Sequence, residues 1–412
     1  MLAWTSFPLF GHAQALTETS DGFRATRTET FEVQPGGVFT INRVVGSITV
    51  SAWNQNRVEV TETIRLDGAS RQDAQEYVQR FQSTVEQAGN SISVRGPEGN
   101  RSGNWRRNVQ HDFDVRVPQQ FNVDVTTAGG SIDIDGPEGR VAGRTSGGAI
   151  NVHNATGEVT VRTSGGALNL TDITGPVAGR TSGGAINAER VTGRLLVRTS
   201  GGSLNIATIG GNVQAETSGG SVSIEDVQGH VMARTSGGSM NLRAITSDVR
   251  AETSGGDIEL EDIGGSAEAR TSGGDIEGRT LRGSVDVTTS AGDIELADVQ
   301  AGVDARTSVG DIEVDMTIEN VDADYATQLT TGRGDITITL PANLPASIDA
   351  LVQTIGQSWD RDDILSDFPL SRTTPDDAGA SMLRSTGDIN GGGPLIELRT
   401  RGGSIEVRAS GQ

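Results

Sequence analysis

The chain has 412 residues, 54 acidic against 33 basic side chains, a formal net charge of −21 and no cysteine. A chain this acidic lacks the Lys/Arg patches that displace counterions, which speaks against nucleic acid as a partner. Without cysteine there are no catalytic thiols, disulfides, Cys-based metal sites or lipidated cysteines, and no window approaches 18 uninterrupted apolar residues, so direct membrane insertion as a helix is not expected.

Residues 1–10 are mostly apolar, and Ala13, Gln14 and Ala15 have the small-x-small pattern of a signal-peptidase site. Residues 1–15 therefore read as an export signal; the basic segment ahead of the apolar run is missing, which leaves two readings, a signal trimmed by a late start or an untidy terminus. Export places the protein in the periplasm, in the cell envelope or outside the cell.

Residues 16–126 read as an N-terminal, β-rich cap. Strand-like alternation at 38–41, 47–50 and 58–60 is interrupted by a helical stretch at about 70–86. There Ser70 and Asp73 have capping-box spacing, and Ala74, Tyr77, Phe81 and Val85 form an apolar stripe. The helix is expected to pack on the edge of the first repeats, because an open sheet end needs a cover. Residues 101–107, Arg-rich and containing Trp105, read as an exposed hairpin tip.

From Thr127 to Thr307 a Thr recurs every 18 residues, at 127, 145, 163, 181, 199, 217, 235, 253, 271, 289 and 307. A strict short period marks a unit that cannot bury its own apolar face and must stack on its copies. With the Thr as position 0, apolar residues fall at +5, +7, +10, +14 and usually +16, as in Ile150, Val152, Ala155, Val159 and Val161. Two period-2 runs joined by two turns predict two short strands per repeat, each with one buried face. A triangular hexapeptide helix would need aliphatics six apart, so the expected fold is all-β: a two-sided parallel β-solenoid of 18-residue rungs over residues 127–340, capped by the helix-containing N-terminal region. Eleven rungs would span on the order of 50 Å.

Gly occupies +3 in every copy, whereas +2 admits Ala291 and Val309. Positive φ is therefore expected at +3 and not at +2, where a β-branched residue would be strained. Residues 341–385, with Pro341, Pro345, Pro369 and Pro375, read as an irregular excursion before rungs resume over 386–412.

The outward columns differ along the stack. At −1, charges alternate from Arg198 to Arg270 through Glu216, Arg234 and Glu252, which is structural pairing between rungs. Position +6 changes from Asn151, Asn169, Asn187, Asn205 and Asn241 to Glu259, Glu277, Glu295 and Glu313, while +4 acquires Asp257, Asp275, Asp293 and Asp311. These eight carboxylates are the candidate metal ligands. They would bind calcium weakly, since bridging cations relieve stacked like charge. No other cofactor is expected.

The recurrent Thr-Ser-Gly-Gly motif, residues 113–118 (Phe-Asp-Val-Arg-Val-Pro), Asp367-Phe368-Pro369-Leu370 and the run from Ile389 to Pro394 resemble a bacterial β-strand-repeat family known by the name "putative adhesin", a domain of unknown function related to autotransporter-adhesin heads. The resemblance covers about residues 31–407. It implies an exported, non-enzymatic envelope protein with a β-solenoid and brings no catalytic residues; an envelope glycan or a surface protein is the expected partner.

Catalytic motifs are missing as well. His12, His111, His153 and His230 have no metal-ligand spacing, and neither a Gly-x-Ser-x-Gly motif nor a phosphate loop is present. The enzyme alternative is a carbohydrate-processing β-helix using paired carboxylates, and a carbohydrate-binding β-helix is the other alternative. Arg333-Gly334-Asp335 falls on the ordinary repeat columns, and Asn154-Ala155-Thr156 puts Ala155 on an inward one, so neither is read as a recognition motif.

Overall fold

The computed structural model describes residues 15–97, 109–353, 363–373 and 382–411. The expected export signal (apart from Ala15) and the expected hairpin tip at 101–107 lie outside these residues. The chain divides into two compact units, Met1–Gly202 and Ser203–Gln412. Each is a two-sided parallel β-solenoid.

In the first unit one sheet runs through Ile132–Asp135, Ile150–His153, Leu168–Ile173 and Ile186–Val191, and the opposing sheet through Phe121–Thr127, Val141–Arg144, Val159–Arg162, Val177–Arg180 and Leu195–Arg198. Neighbours pair in parallel with an 18-residue offset, for example Ile150↔Leu168 and Val159↔Val177. That register places every inward column on itself. Ile150, Val152, Ala155, Val159 and Val161 are each at most 1% exposed, so stacking removes their apolar surface from water, as the periodicity demands.

The inward positions change parity between +7 and +10, and a residue in the left-handed region accomplishes this. Asn154, Asp172, Arg190, Thr208, Asp226, Ala244, Asp262, Thr280 and Asp298, all at +9, have φ between 53° and 57°. The sequence had pointed elsewhere, to +3. Gly148, Gly166, Gly184, Gly238, Gly256, Gly274 and Gly292 lie outside that region, whereas Gly310 and Gly334 enter it, at φ 144° and 146°. Their need for glycine is spatial instead: a Cβ on Gly166 would sit 2.0 Å from the Gly148 carbonyl oxygen, and one on Gly256 2.2 Å from that of Gly238. At +2 a Cβ on Gly255 would lie 3.8 Å from its nearest neighbour, ordinary contact.

The left-handed column favours Asn and Asp over other side chains. Ala244→Asn is therefore expected to raise stability by about 0.5–1 kcal/mol, part of the left-handed penalty. Urea denaturation checks it, and a loss of stability would contradict the conformational assignment.

The repeating Thr has a defined task. Thr271 Oγ1 donates to the Gly256 carbonyl one rung back at 2.9 Å and accepts the amide N–H of Gly274 in its own rung at 3.3 Å. Thr163 does the same with Gly148 and Gly166. These hydroxyls are buried and tie successive glycine turns together. Thr271→Val keeps the shape and strands a buried donor and acceptor, so it should cost about 1–3 kcal/mol, while Thr271→Ser should be much milder. Equal melting temperatures for the two variants would disprove the assignment.

Ahead of the rungs, Gly22–Glu32, Arg57–Asp67 and Val109–Pro118 pair antiparallel, and Val109–Pro118 then pairs in parallel with Ile48–Trp53, which in turn pairs with Ile132–Asp135. In the opposing sheet, Thr84–Ala88 forms an antiparallel hairpin with Ser91–Arg95. The helix is Arg71–Arg80, N-capped by Ser70, whose hydroxyl accepts from the Asp73 amide at 3.2 Å. It packs against Phe23, Ala25, Ile64, Leu66 and Val109 of the antiparallel strands. The expected helix over 70–86 is thus too long. Ser83 turns inward to a buried partner, and Thr84 and Val85, β-branched, belong to the hairpin.

In the second unit the two sheets continue the same pattern from Leu204–Ile209 and Val213–Glu216 up to Ile336–Pro341 and Thr327–Thr331. The segment after residue 341 is more regular than its prolines suggest. Ala346–Gln353 is an eight-residue strand pairing in parallel with Leu395–Arg401 and antiparallel with Met382–Ile389. Leu395–Arg401 also pairs with Thr327–Thr331, so the last rung in sequence lies inside the stack and the earlier strand lies outside it. The antiparallel strands ending the sheet blunt an edge that would otherwise template further pairing.

Candidate functional site

The eight candidate carboxylates form two outward columns in the second unit. Glu259, Glu277, Glu295 and Glu313 stand directly opposite one another on successive strands and are exposed. The Asp column is engaged with the backbone. Asp257 Oδ1 accepts the Asp275 amide N–H at 3.0 Å, Asp275 that of Asp293 at 2.8 Å, and Asp293 that of Asp311 at 2.8 Å. Asp311 does the same for Asp335, which accordingly sits in this column, and Ser239 Oγ does it for Asp257. A short acceptor at +4 is thus explained by capping the next rung's N–H. Among the described residues, no group of three or more His, Asp or Glu is arranged to hold a metal ion. Beside the acidic columns lies a surface groove lined in part by Ser203, Ser221, Ser223, Ser239, Asn241 and Glu259.

Two clusters resemble catalytic relays. Ser247 Oγ and Asp248 Oδ2 lie 2.9 and 3.1 Å from His230 Nδ1. A proton relay needs its nucleophile and its carboxylate on opposite ring nitrogens, so this arrangement cannot pass a proton from Ser to Asp through the ring. Asp248 has a different task. The amide and hydroxyl of Ser266, each 2.9 Å from Asp248 Oδ1, hold its carboxyl below the usual range. A depressed folded-state pKa gives stability that is present above the unfolded value, about 3.9, and is lost as pH falls through the folded one. Melting temperature should therefore fall less steeply between about pH 5 and 2.5 in Asp248→Asn than in the parent. Parallel curves would show the bonds to be without effect.

The second cluster is buried in the first unit. Glu62 Oε1 lies 2.6 Å from His111 Nδ1 and accepts the Ser83 hydroxyl at 2.6 Å, and His111 Nε2 is 3.0 Å from the Tyr77 hydroxyl. Glu62 is 4% exposed and His111 0%. With Nδ1–H directed at Glu62, Nε2 accepts from Tyr77 and each ring nitrogen is satisfied. Sequence reasoning did not find this network, whose only signal was a polar residue on the inward parity of each strand.

A family model described as Toastrack DUF4097 matches residues 45–282 and 279–355. The chain belongs to the Toastrack DUF4097 family. Among curated proteins none matches significantly. Among solved structures, the chain is similar to a "putative cell adhesion protein" from Clostridium sporogenes ATCC 15579, at 8% identity and a TM-score of 0.17 over 93% of this chain and 100% of that one. It is also similar to a "putative adhesin" from Bacteroides fragilis NCTC 9343, at 12% identity and a TM-score of 0.23 over 70% of this chain and 96% of that one. At such scores the Toastrack fold described here rests on the strand register and the family model. Among the described residues no helix is long and apolar enough to cross a membrane.

Proposed function

We propose that this Toastrack protein is exported and serves a structural or adhesive, non-catalytic role at the cell envelope. The observation that carries this reading is the columnar arrangement of its outward polar side chains. Asn169 Nδ2 bonds Asn151 Oδ1 at 2.7 Å and Asn187 Nδ2 bonds Asn169 Oδ1 at 2.8 Å, so the same group recurs about every 4.8 Å. Such a surface suits an extended repetitive partner, an envelope glycan or a surface protein, better than one small substrate. Of the two histidine-centred clusters among the described residues, Glu62 and His111 are sealed in the core and His230 has Ser and Asp crowded on one ring nitrogen. The family resemblance supports an envelope location.

Fractionation of the native cell with immunoblotting tests the location: the protein is expected in the envelope or the medium, and cytoplasmic retention would remove the reading. The groove beside Asn241 and Glu259, lined by serines, favours glycan binding as the specific adhesive mode. Incubation with envelope polysaccharides should then give retention without cleavage, and new reducing ends would turn the reading toward a carbohydrate-processing enzyme.

A further inference from the structure

The −1 column is treated differently in the two units. In the second, Arg234 bonds Glu252, Arg250 reaches both Glu252 and Glu268, and Arg270 reaches Glu268 and Asp286. Charge in that column is neutralised between rungs. In the first unit Arg144, Arg162, Arg180 and Arg198 stand directly opposite one another on four successive strands, all exposed. Arg144 pairs with Asp124 at 3.3 Å, whereas Arg162 and Arg180 make no ion pair or side-chain hydrogen bond among the described residues. The adjacent outward column offers Thr160, Ala178 and Leu196, no carboxylate.

The Glu column of the second unit is its counterpart. Glu277 and Glu295 also make no ion pair among the described residues, although Arg279 lines the same surface. Like charges opposed across strands are unfavourable, and this chain avoids them where it alternates Arg with Glu. Arg162 and Arg180, like Glu277 and Glu295, ride on parallel ladders, so each pair repeats at the strand spacing of about 4.8 Å. Two ladders of opposite sign and equal step can meet rung for rung without drifting out of register.

We propose that copies of this chain associate by laying Arg162 and Arg180, the unpaired middle of the arginine column of one copy, against Glu277 and Glu295 of another. With a net charge of −21, two copies repel over most of their surfaces, so the arginine column selects the orientation as well as supplying attraction. Each contact uses a different patch on the two copies, the heterologous arrangement that permits assemblies larger than a dimer.

Sedimentation velocity of the full chain at about 20 mM and 500 mM salt tests this, since screening shortens from about 20 Å to about 4 Å across that range. The parent should associate at low salt and dissociate at high salt. Arg162→Glu/Arg180→Glu and Glu277→Arg/Glu295→Arg should each weaken association at least about tenfold, and an equimolar mixture of the two should restore it. Arg162→Lys/Arg180→Lys should retain it, which separates charge from altered folding, and melting curves of all variants check folding directly. A parent that is monomeric at both salt concentrations overturns the proposal, as do swapped variants that associate like the parent. If the parent is monomeric but binds polygalacturonate, and Arg162→Glu/Arg180→Glu does not, the column serves an acidic glycan and the proposal also fails.

Discussion

Gly256→Ala is expected to destabilise the protein by about 3 kcal/mol or more, the upper end of overpacking costs, while Gly255→Ala should change stability by no more than about 0.5 kcal/mol. The two positions are adjacent and equally glycine in sequence, yet their surroundings differ. The new Cβ at 256 would lie 2.2 Å from the Gly238 carbonyl oxygen and 2.4 Å from its carbon, backbone atoms that are themselves fixed by the next rung down. Thr253 Oγ1 holds that same carbonyl at 3.0 Å, so the turn cannot withdraw without losing a buried hydrogen bond. At 255 the nearest atoms are the Ser236 and Gly237 oxygens at 3.8 and 3.9 Å. Thermal and urea melts decide the matter: similar losses for the two variants would mean that the turns are not stacked as described.

Glu62→Ala should cost about 2–5 kcal/mol, since two buried donors each lose their acceptor at about 1–3 kcal/mol apiece. The substitution leaves His111 Nδ1 and the Ser83 hydroxyl, both within 2.6 Å of the lost carboxylate, without an acceptor in a region where water does not reach. It also loosens Tyr77, which joins the helix Arg71–Arg80 to His111 and lies in the apolar cluster with Phe23 and Ile64. His111→Ala should be comparably harmful. The double variant should lose much less than the sum of the two, because both changes dismantle one network. Additive losses, or single losses under about 1 kcal/mol, would show that the helix is held by its apolar contacts alone.

Much of this was legible in the chain. The 18-residue Thr period, with aliphatics at +5, +7, +10, +14 and +16, is a constraint that each residue shares with its copies one rung away, so the pattern is printed along the sequence. The same holds for the charge alternation from Arg198 to Arg270 and for the Ser70 cap. The turn was misread because glycine has two uses. At +3 it answers a close approach between backbones, which no local pattern distinguishes from positive φ, and the true left-handed column at +9 is filled by Asn, Asp, Thr, Ala and even Arg190. The Asp column was visible, but its bond to the amide of the next rung was not.

The sequence by itself determined the repeat, the two-strand rung and the inward columns, because a stacked repeat turns tertiary contacts into a fixed sequence offset. Only the tertiary structure decided what happens where that offset fails. Glu62 and His111 are 49 residues apart and meet because antiparallel strands bring them together, and Leu395–Arg401 slips between strands that precede it by dozens of residues. Such pairings depend on which edges the folded chain leaves open, and that is a property of the assembled sheet, with no counterpart in residue spacing.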